Sequence, residues 1–247
     1  MRKYKQILIN IFVFQFALFT ATNVFAEEEQ KHEVKDECVI LLHGLARSSK
    51  SLTPIEKELS EIGYRVINQG YPSTQKTIEL LSDKTVSTAL EKCGTVKSIH
   101  FVTHSMGGIL VRYYLKYHTI ENLGHVVMLG PPNKGSQVVD KLKDVPGFKL
   151  INGPAGLQLG TGELSIPNQL GPANFDLGII AGNKSINLIL SSILPNEDDG
   201  KVTVENTKLE GMQDHLTLPV SHPLMMRDPE VIKHIIHFLQ HGYFNEE

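Results

Sequence analysis

A chain of 247 residues, 41% hydrophobic and 21% charged, can bury one substantial core and is short for two α/β domains. Its formal charge is −3 and its pI near 6.4, with no basic block able to neutralise a phosphate backbone, which excludes nucleic acid as an expected partner. No G-x-G-x-x-G, Walker loop or Cys-x-x-Cys occurs, and Glu197, Asp198 and Asp199 are too few ligands to define a calcium site, so neither cofactor nor metal is expected.

In chain order, Arg2, Lys3 and Lys5 precede an apolar run over residues 7–19, and Val24 and Ala26 supply the small residues of a cleavage site. Residues 1–26 therefore read as a secretory signal peptide cut after Ala26. The apolar run is interrupted by Asn10 and Gln15 and falls short of the ~20 residues that span a bilayer. Cleavage removes three basic and no acidic residues, taking the formal charge from −3 to −6. An exported protein, periplasmic or secreted, is the expectation.

Residues 27–37 are polar and charged, a flexible lead-in to a domain over residues 38–247. The run 38–43 is continuously apolar up to His43 and ends at Gly44, as suits a strand buried on both faces. Similar runs recur at 99–103, 126–129 and 177–181, and 215–220 reads as the final strand. Helical spacing occupies 52–62, 78–90, 109–117 and 229–241, with a further helix near 136–143. Alternation of the two periods predicts a mainly parallel sheet with helices on both faces. Residues 145–175, rich in glycine and proline, are the least regular stretch.

Cys38 opens one predicted strand and Cys93 precedes another that should lie beside it. In an exported protein they form a disulfide or remain two small buried thiols; spacing alone does not decide. His234, His237 and His241 share one face of the last helix, opposite Ile232, Ile235, Ile236 and Leu239. That arrangement reads as a solvated face.

The strand 99–103 runs into His104-Ser105-Met106-Gly107-Gly108 and then a helix. A serine on so sharp a strand-to-helix turn projects its hydroxyl above the sheet, and glycine beyond it lets helix and strand approach closely. With this turn the chain resembles the lipase and esterase branch of the α/β-hydrolase superfamily, whose nucleophile elbow reads G-x-S-x-G. Thr103 stands where the family has its first glycine. The likeness extends to Leu42-His43-Gly44-Leu45, to the segment 130–136, to Asp199-Gly200-Lys201-Val202 and to Ser221-His222.

The resemblance implies an α/β-hydrolase fold and a serine hydrolase with the chain order Ser, acid, His. A serine hydroxyl needs a base to take its proton, and the base needs a third group to fix its tautomer. Ser105 is the expected nucleophile, His222 the base and Asp199 the acid. Asp198 is the closest rival, and Asp199 is preferred because a carboxylate directly before the turn glycine matches the family pattern. The backbone amides of Leu45 and Met106 are the expected oxyanion hole, and His43 is expected to pack the loop.

The implied activity is hydrolysis of a carboxylic ester, of a small molecule or a lipid, with lipid-surface contact. Passing the acyl group to an alcohol would use the same triad, and a non-catalytic binding protein could keep the fold. A complete Ser, Asp and His set favours an enzyme. Residues 145–175 are expected to form a cap over the site, with Leu157 and Leu159 in its wall.

Overall fold

The apolar runs fold as strands of one sheet. In the computed structural model, which describes residues 34–245, these are β1 (Glu37–Leu42), β3 (Ser98–His104), β4 (Leu123–Leu129), β5 (Leu177–Gly182) and β6 (Asp214–Leu218), joined by β2 (Arg65–Gln69). The expected signal peptide, residues 1–26, and most of the expected lead-in lie outside the described residues. The helices are α1 (Thr53–Glu61), α2 (Ile78–Cys93), α3 (Met106–Tyr117), α4 (Gln137–Leu142), α5 (Phe148–Leu157), α6 (Ile166–Gln169), α7 (Leu188–Ser191), α8 (Val204–Thr207) and α9 (Pro229–His241).

The strand order is β2-β1-β3-β4-β5-β6, and every pair is parallel. Parallel strands are covered on both faces, which is why β1 has no polar alternation. Cys38, Ile40 and Leu42 pack with α2 and α3 residues such as Val86 and Ile109, whereas Val39 and Leu41 pack with Ile55, Leu59, Ile235 and Phe238 of α1 and α9. The chain runs outward from β1 to β2 and then returns to β3 on the other side of β1. A crevice opens at that reversal, beyond the carboxyl ends of the strands.

Cys38 and Cys93 form a disulfide with a Cα–Cα distance of 5.8 Å, joining β1 to the end of α2. Helix α9 is capped before its first residue by Asp228, whose side chain accepts from the Glu230 and Val231 amides, and after its last by Gly242 with φ 80°. Both ends thus follow the preferences of helix caps.

Three expectations need correction. Strand β2 was not expected: its sequence, Arg-Val-Ile-Asn-Gln, lies at the sheet edge with no fully buried residue, so it lacks the apolar run of a central strand. The irregular stretch 145–175 contains α5 and α6, and α5 is two helical pieces joined at Gly153, whose φ of 65° and ψ of −171° break it. A Cβ at Gly153 would lie 1.8 Å from the Thr74 carbonyl oxygen, so glycine lets this segment settle on the loop after β2. His234 is not on a solvated face. It is 5% exposed, its Nε2 is 3.3 Å from Glu230 and its ring meets Phe244 edge-on, because the chain after α9 folds back over that side. His237 is half-buried and His241 exposed.

Candidate active site

Ser105 is the residue between β3 and α3, with φ 55° and ψ −122°. Among the described residues only Ala46, at φ 53°, shares a positive φ without being glycine. Such a conformation costs on the order of 1–3 kcal/mol and persists where the surroundings over-determine it. Here the Ser105 amide donates to the Leu129 carbonyl at 2.8 Å, and the Ser105 carbonyl accepts from Gly108 at 3.1 Å. Helix α3 starts at Met106, before the predicted start, because its two glycines read as turn but fold as helix. A Cβ at Gly107 would lie 2.4 Å from the Leu42 carbonyl oxygen, so only glycine allows α3 to start against the end of β1. Thr103, at the position of the family's glycine, is fully buried beneath the turn.

His222 follows β6. Its Nδ1 lies 2.6 Å from Asp199 Oδ2, and its backbone amide donates to the Asp199 carbonyl at 2.9 Å. Asp199 Oδ1 accepts from the Lys201 and Val202 amides, both at 2.9 Å, so three contacts fix this carboxylate in a site that leaves it 1% exposed. Asp198 turns elsewhere, accepting from Ser191 Oγ and the Gly200 amide, each at 2.7 Å. Gly130, at φ 52°, makes room for the pair: a Cβ there would come within 2.9 Å of Asp199 Oδ2 and 3.0 Å of His222 Nδ1.

Met106 directly follows Ser105 in the chain, and Leu45 lines the same cavity as the serine. Met106 is the first residue of α3, so its N–H has no carbonyl within the helix. Leu45 follows Gly44, where a Cβ would lie 3.1 Å from Ser105 Cβ; the chain leaving β1 passes directly beside the serine. The loop after β2 holds that exit in place. The His43 and Tyr71 rings stack at 4.1 Å, the Tyr71 amide donates to His43 Nε2 at 3.3 Å, the Tyr71 hydroxyl donates to the His43 carbonyl, and the Ala46 amide donates to Ser73 Oγ at 3.1 Å. Burial lowers the His43 pKa, and a neutral ring that accepts at Nε2 donates from Nδ1 to the Gly44 carbonyl at 2.9 Å. His43 packs the loop, as expected.

Ser105, Asp199 and His222 line one cavity of about 450 Å³ together with Leu45. Its apolar wall includes Val138, Val139, Phe148, Ile151 and Leu159, so the segment 145–175 does contribute to it. Leu157, expected in the same wall, lines a separate surface depression with Gln158 and Leu164. Arg112 of α3 anchors the segment: buried, and without a carboxylate partner among the described residues, it donates to the Pro167, Gly171 and Asn133 carbonyls at 2.8 to 3.1 Å. Desolvation lowers its pKa to about 10.

Sequence reasoning missed His104. It is 2% exposed, its ring centroid is 4.6 Å from that of His222, and its Nε2 is 3.0 Å from the His222 carbonyl. Burial, then the nearby His222, hold its pKa well below the usual histidine value. Neutral, it donates from Nε2 and leaves Nδ1 bare, and that buried atom has no partner. Its only sequence signal was its place beside the serine.

A six-stranded parallel sheet with this elbow after β3 has the α/β-hydrolase fold, and the resemblance is to that superfamily's lipases and esterases. Residues 32–145 match the family described as "Putative serine esterase (DUF676)", a span that includes Ser105 and stops before Asp199 and His222. Among solved structures, the chain is similar to the mature lipase BlEst2 of Bacillus licheniformis, at 18% identity and TM-score 0.62, covering 87% of this chain and 95% of that one. It is similar to lipase B of Aspergillus fumigatus at 14% identity and TM-score 0.61, covering 91% and 56%. Phospholipase PlaB of Legionella pneumophila aligns at 19% identity and TM-score 0.56, covering 70% and 45%. No curated protein matches the sequence. Together these comparisons support a serine hydrolase.

Proposed function

We propose that this chain is a carboxylic-ester hydrolase working through an acyl-enzyme on Ser105. Ser105 Oγ attacks the ester carbonyl carbon while His222 takes the hydroxyl proton, and the amides of Leu45 and Met106 receive the negative charge that develops on the carbonyl oxygen. The alcohol leaves with the proton from His222. Water, deprotonated by the same imidazole, then attacks the acyl-enzyme, releasing the acid and returning the proton to Ser105. Asp199 holds the imidazole in one tautomer and stabilises its cation. The observation that carries this reading is the 2.6 Å contact of Asp199 with His222, at the cavity lined by the strained Ser105.

The acyl portion fits the apolar wall of Phe148, Ile151 and Leu159, which makes residues 145–175 a cap of the site. Leu150, Ile151, Ile186 and Ile189 are exposed, and two of them also line the cavity, which supports contact with a lipid surface. Export fits the disulfide, since such bonds persist in oxidising compartments; a mature protein beginning at Glu27 by N-terminal sequencing is the expected result, and an uncut chain would count against it.

The function is tested by a fluorophosphonate probe and a short p-nitrophenyl ester. The wild-type protein is expected to be labelled on Ser105, and Ser105→Ala and His222→Ala to lose roughly a thousandfold or more in kcat while remaining folded. Substantial turnover by purified Ser105→Ala would falsify the assignment.

A further inference from the structure

The cavity that holds Ser105 carries a charge pattern which ester hydrolysis does not require. Its polar lining includes two cations, Arg47 and Lys201, and one acid, Asp199. That acid is fully used: Oδ2 by His222, Oδ1 by the Lys201 and Val202 amides. Among the described residues, no carboxylate lies within 4.0 Å of either cation. Lys134 and Lys208, by contrast, both pair with Glu205, at 2.7 and 3.0 Å. The chain as a whole is acidic, with a net charge of −3, whereas this cavity lining carries two cations to one acid.

Their positions are fixed by the catalytic architecture. Arg47 lies two residues beyond the Leu45 amide, just after the strained Ala46, and Lys201 lies two residues beyond Asp199. The Lys201 backbone is held at both ends, its amide on Asp199 Oδ1 and its carbonyl accepting from Ser136 Oγ at 2.7 Å. The two cations also sense each other. Desolvation lowers the Lys201 pKa, Asp199 opposes it, and Arg47 adds to the lowering.

We infer that Arg47 and Lys201 form a subsite for an anionic group on the substrate, so that the preferred ester carries a phosphate or carboxylate close to the scissile bond. This rests on the ester-hydrolase reading of Ser105. An arginine fork and a lysine ammonium in a partly enclosed site make charge-assisted hydrogen bonds to either anion, and an ester without the charge leaves both cations to water. The apolar wall formed by Phe148, Ile151 and Leu159 takes the remaining hydrocarbon.

The test compares kcat/KM for two matched pairs below their micellar concentrations. One pair is a medium-chain monoacylglycerol and the same molecule bearing a terminal phosphate; the other is the p-nitrophenyl ester of hexanoate and the p-nitrophenyl half-ester of adipate. The anionic member of at least one pair is expected to be favoured about tenfold or more. The excess should shrink at high salt. Preference in the first pair alone identifies phosphate as the group, in the second alone carboxylate, and in both a general anion subsite. In the Arg47→Gln, Lys201→Gln double variant the ratio should fall to near one, and with both positions changed to Glu it should fall below one. A wild-type protein that cleaves the neutral esters through Ser105 with no anionic preference overturns the subsite alone, as does a preference that survives the double variant. A protein that cleaves neither member of either pair and escapes the fluorophosphonate overturns the function and the subsite with it.

Discussion

Strand β3 carries two buried histidines on one face, His100 near its start and His104 at its end, and their surroundings differ. At the end of the strand, His104 joins His222, whose other contact is the Asp199 carboxylate at 2.6 Å. Near the start, His100 sits where the β3–β4 register shifts, accepts the His125 amide on Nδ1 at 2.9 Å, and has only Glu37 near its Nε2, at 3.6 Å and beyond hydrogen-bonding reach. A Cβ at Gly124 would strike the His100 ring at 2.5 Å, so the neighbouring strand is shaped around it. A buried imidazole can accept a proton during turnover only where a carboxylate compensates the charge. The carboxyl end of the sheet provides one in hydrogen-bond contact through its convergent loops, whereas near the start of β3 Glu37 stays at 3.6 Å without a hydrogen bond to His100.

The largest effect expected from breaking this contrast is on Asp199. Asp199→Asn keeps the shape and removes the compensating charge, and should lower kcat by roughly 10³ to 10⁴. Asp198→Asn loses bonds to Ser191 and Gly200 only, and should stay within about threefold of wild type by steady-state kinetics. Reversed effects would assign the acid to Asp198.

The opposite end of the comparison is read in stability. Burial, then His125 and Lys35, lower the His100 pKa from 6.5 to about 4. Between these values the unfolded chain binds a proton that the folded chain refuses, so stability from this group is fully present above pH 6.5 and is lost as pH falls toward 4. The loss is at most on the order of 3 kcal/mol. His104 and His43, whose pKa values are also lowered by burial, act in the same direction. Denaturant titrations of His100→Leu between pH 4 and 6.5 should therefore show a shallower pH slope than wild type; an unchanged slope would remove His100 from the account.

What could be read from the sequence follows the range of the interactions. The strands buried on both faces and the elbow around Ser105 are local patterns, and the chain order of a resembling family led to Asp199 and His222. Strand β2 left no signal because an edge strand need not be apolar, and the helical pieces of α5 were hidden by Gly153 and Pro154 at their junction. The burial of His234 depends on Phe244, which lies beyond the helix and so outside any helical wheel. The Arg47 and Lys201 pair joins loops more than a hundred residues apart, and nothing in either loop announces the other.

The smallest effect separates supporting a catalytic group from being one. His104 Nε2 donates to the carbonyl of His222 across a separation of 118 residues, and so ties the loop bearing His222 to the turn bearing Ser105. In the proposed mechanism it is a positioning residue. His104→Phe keeps a ring of similar breadth in the buried site and loses one neutral hydrogen bond, worth about 1 kcal/mol, which at the transition state corresponds to a fall in kcat of about fivefold to tenfold. KM for a short ester should change little, because the bond orients His222 without touching the acyl wall. The shape of the pH–rate profile should also persist, since a histidine held neutral by burial does not titrate in the working range. Were His104 itself the base, its loss would match that of His222→Ala and the acidic limb of the profile would vanish. A modest loss confined to kcat, with that limb in place, is what a brace between two loops produces.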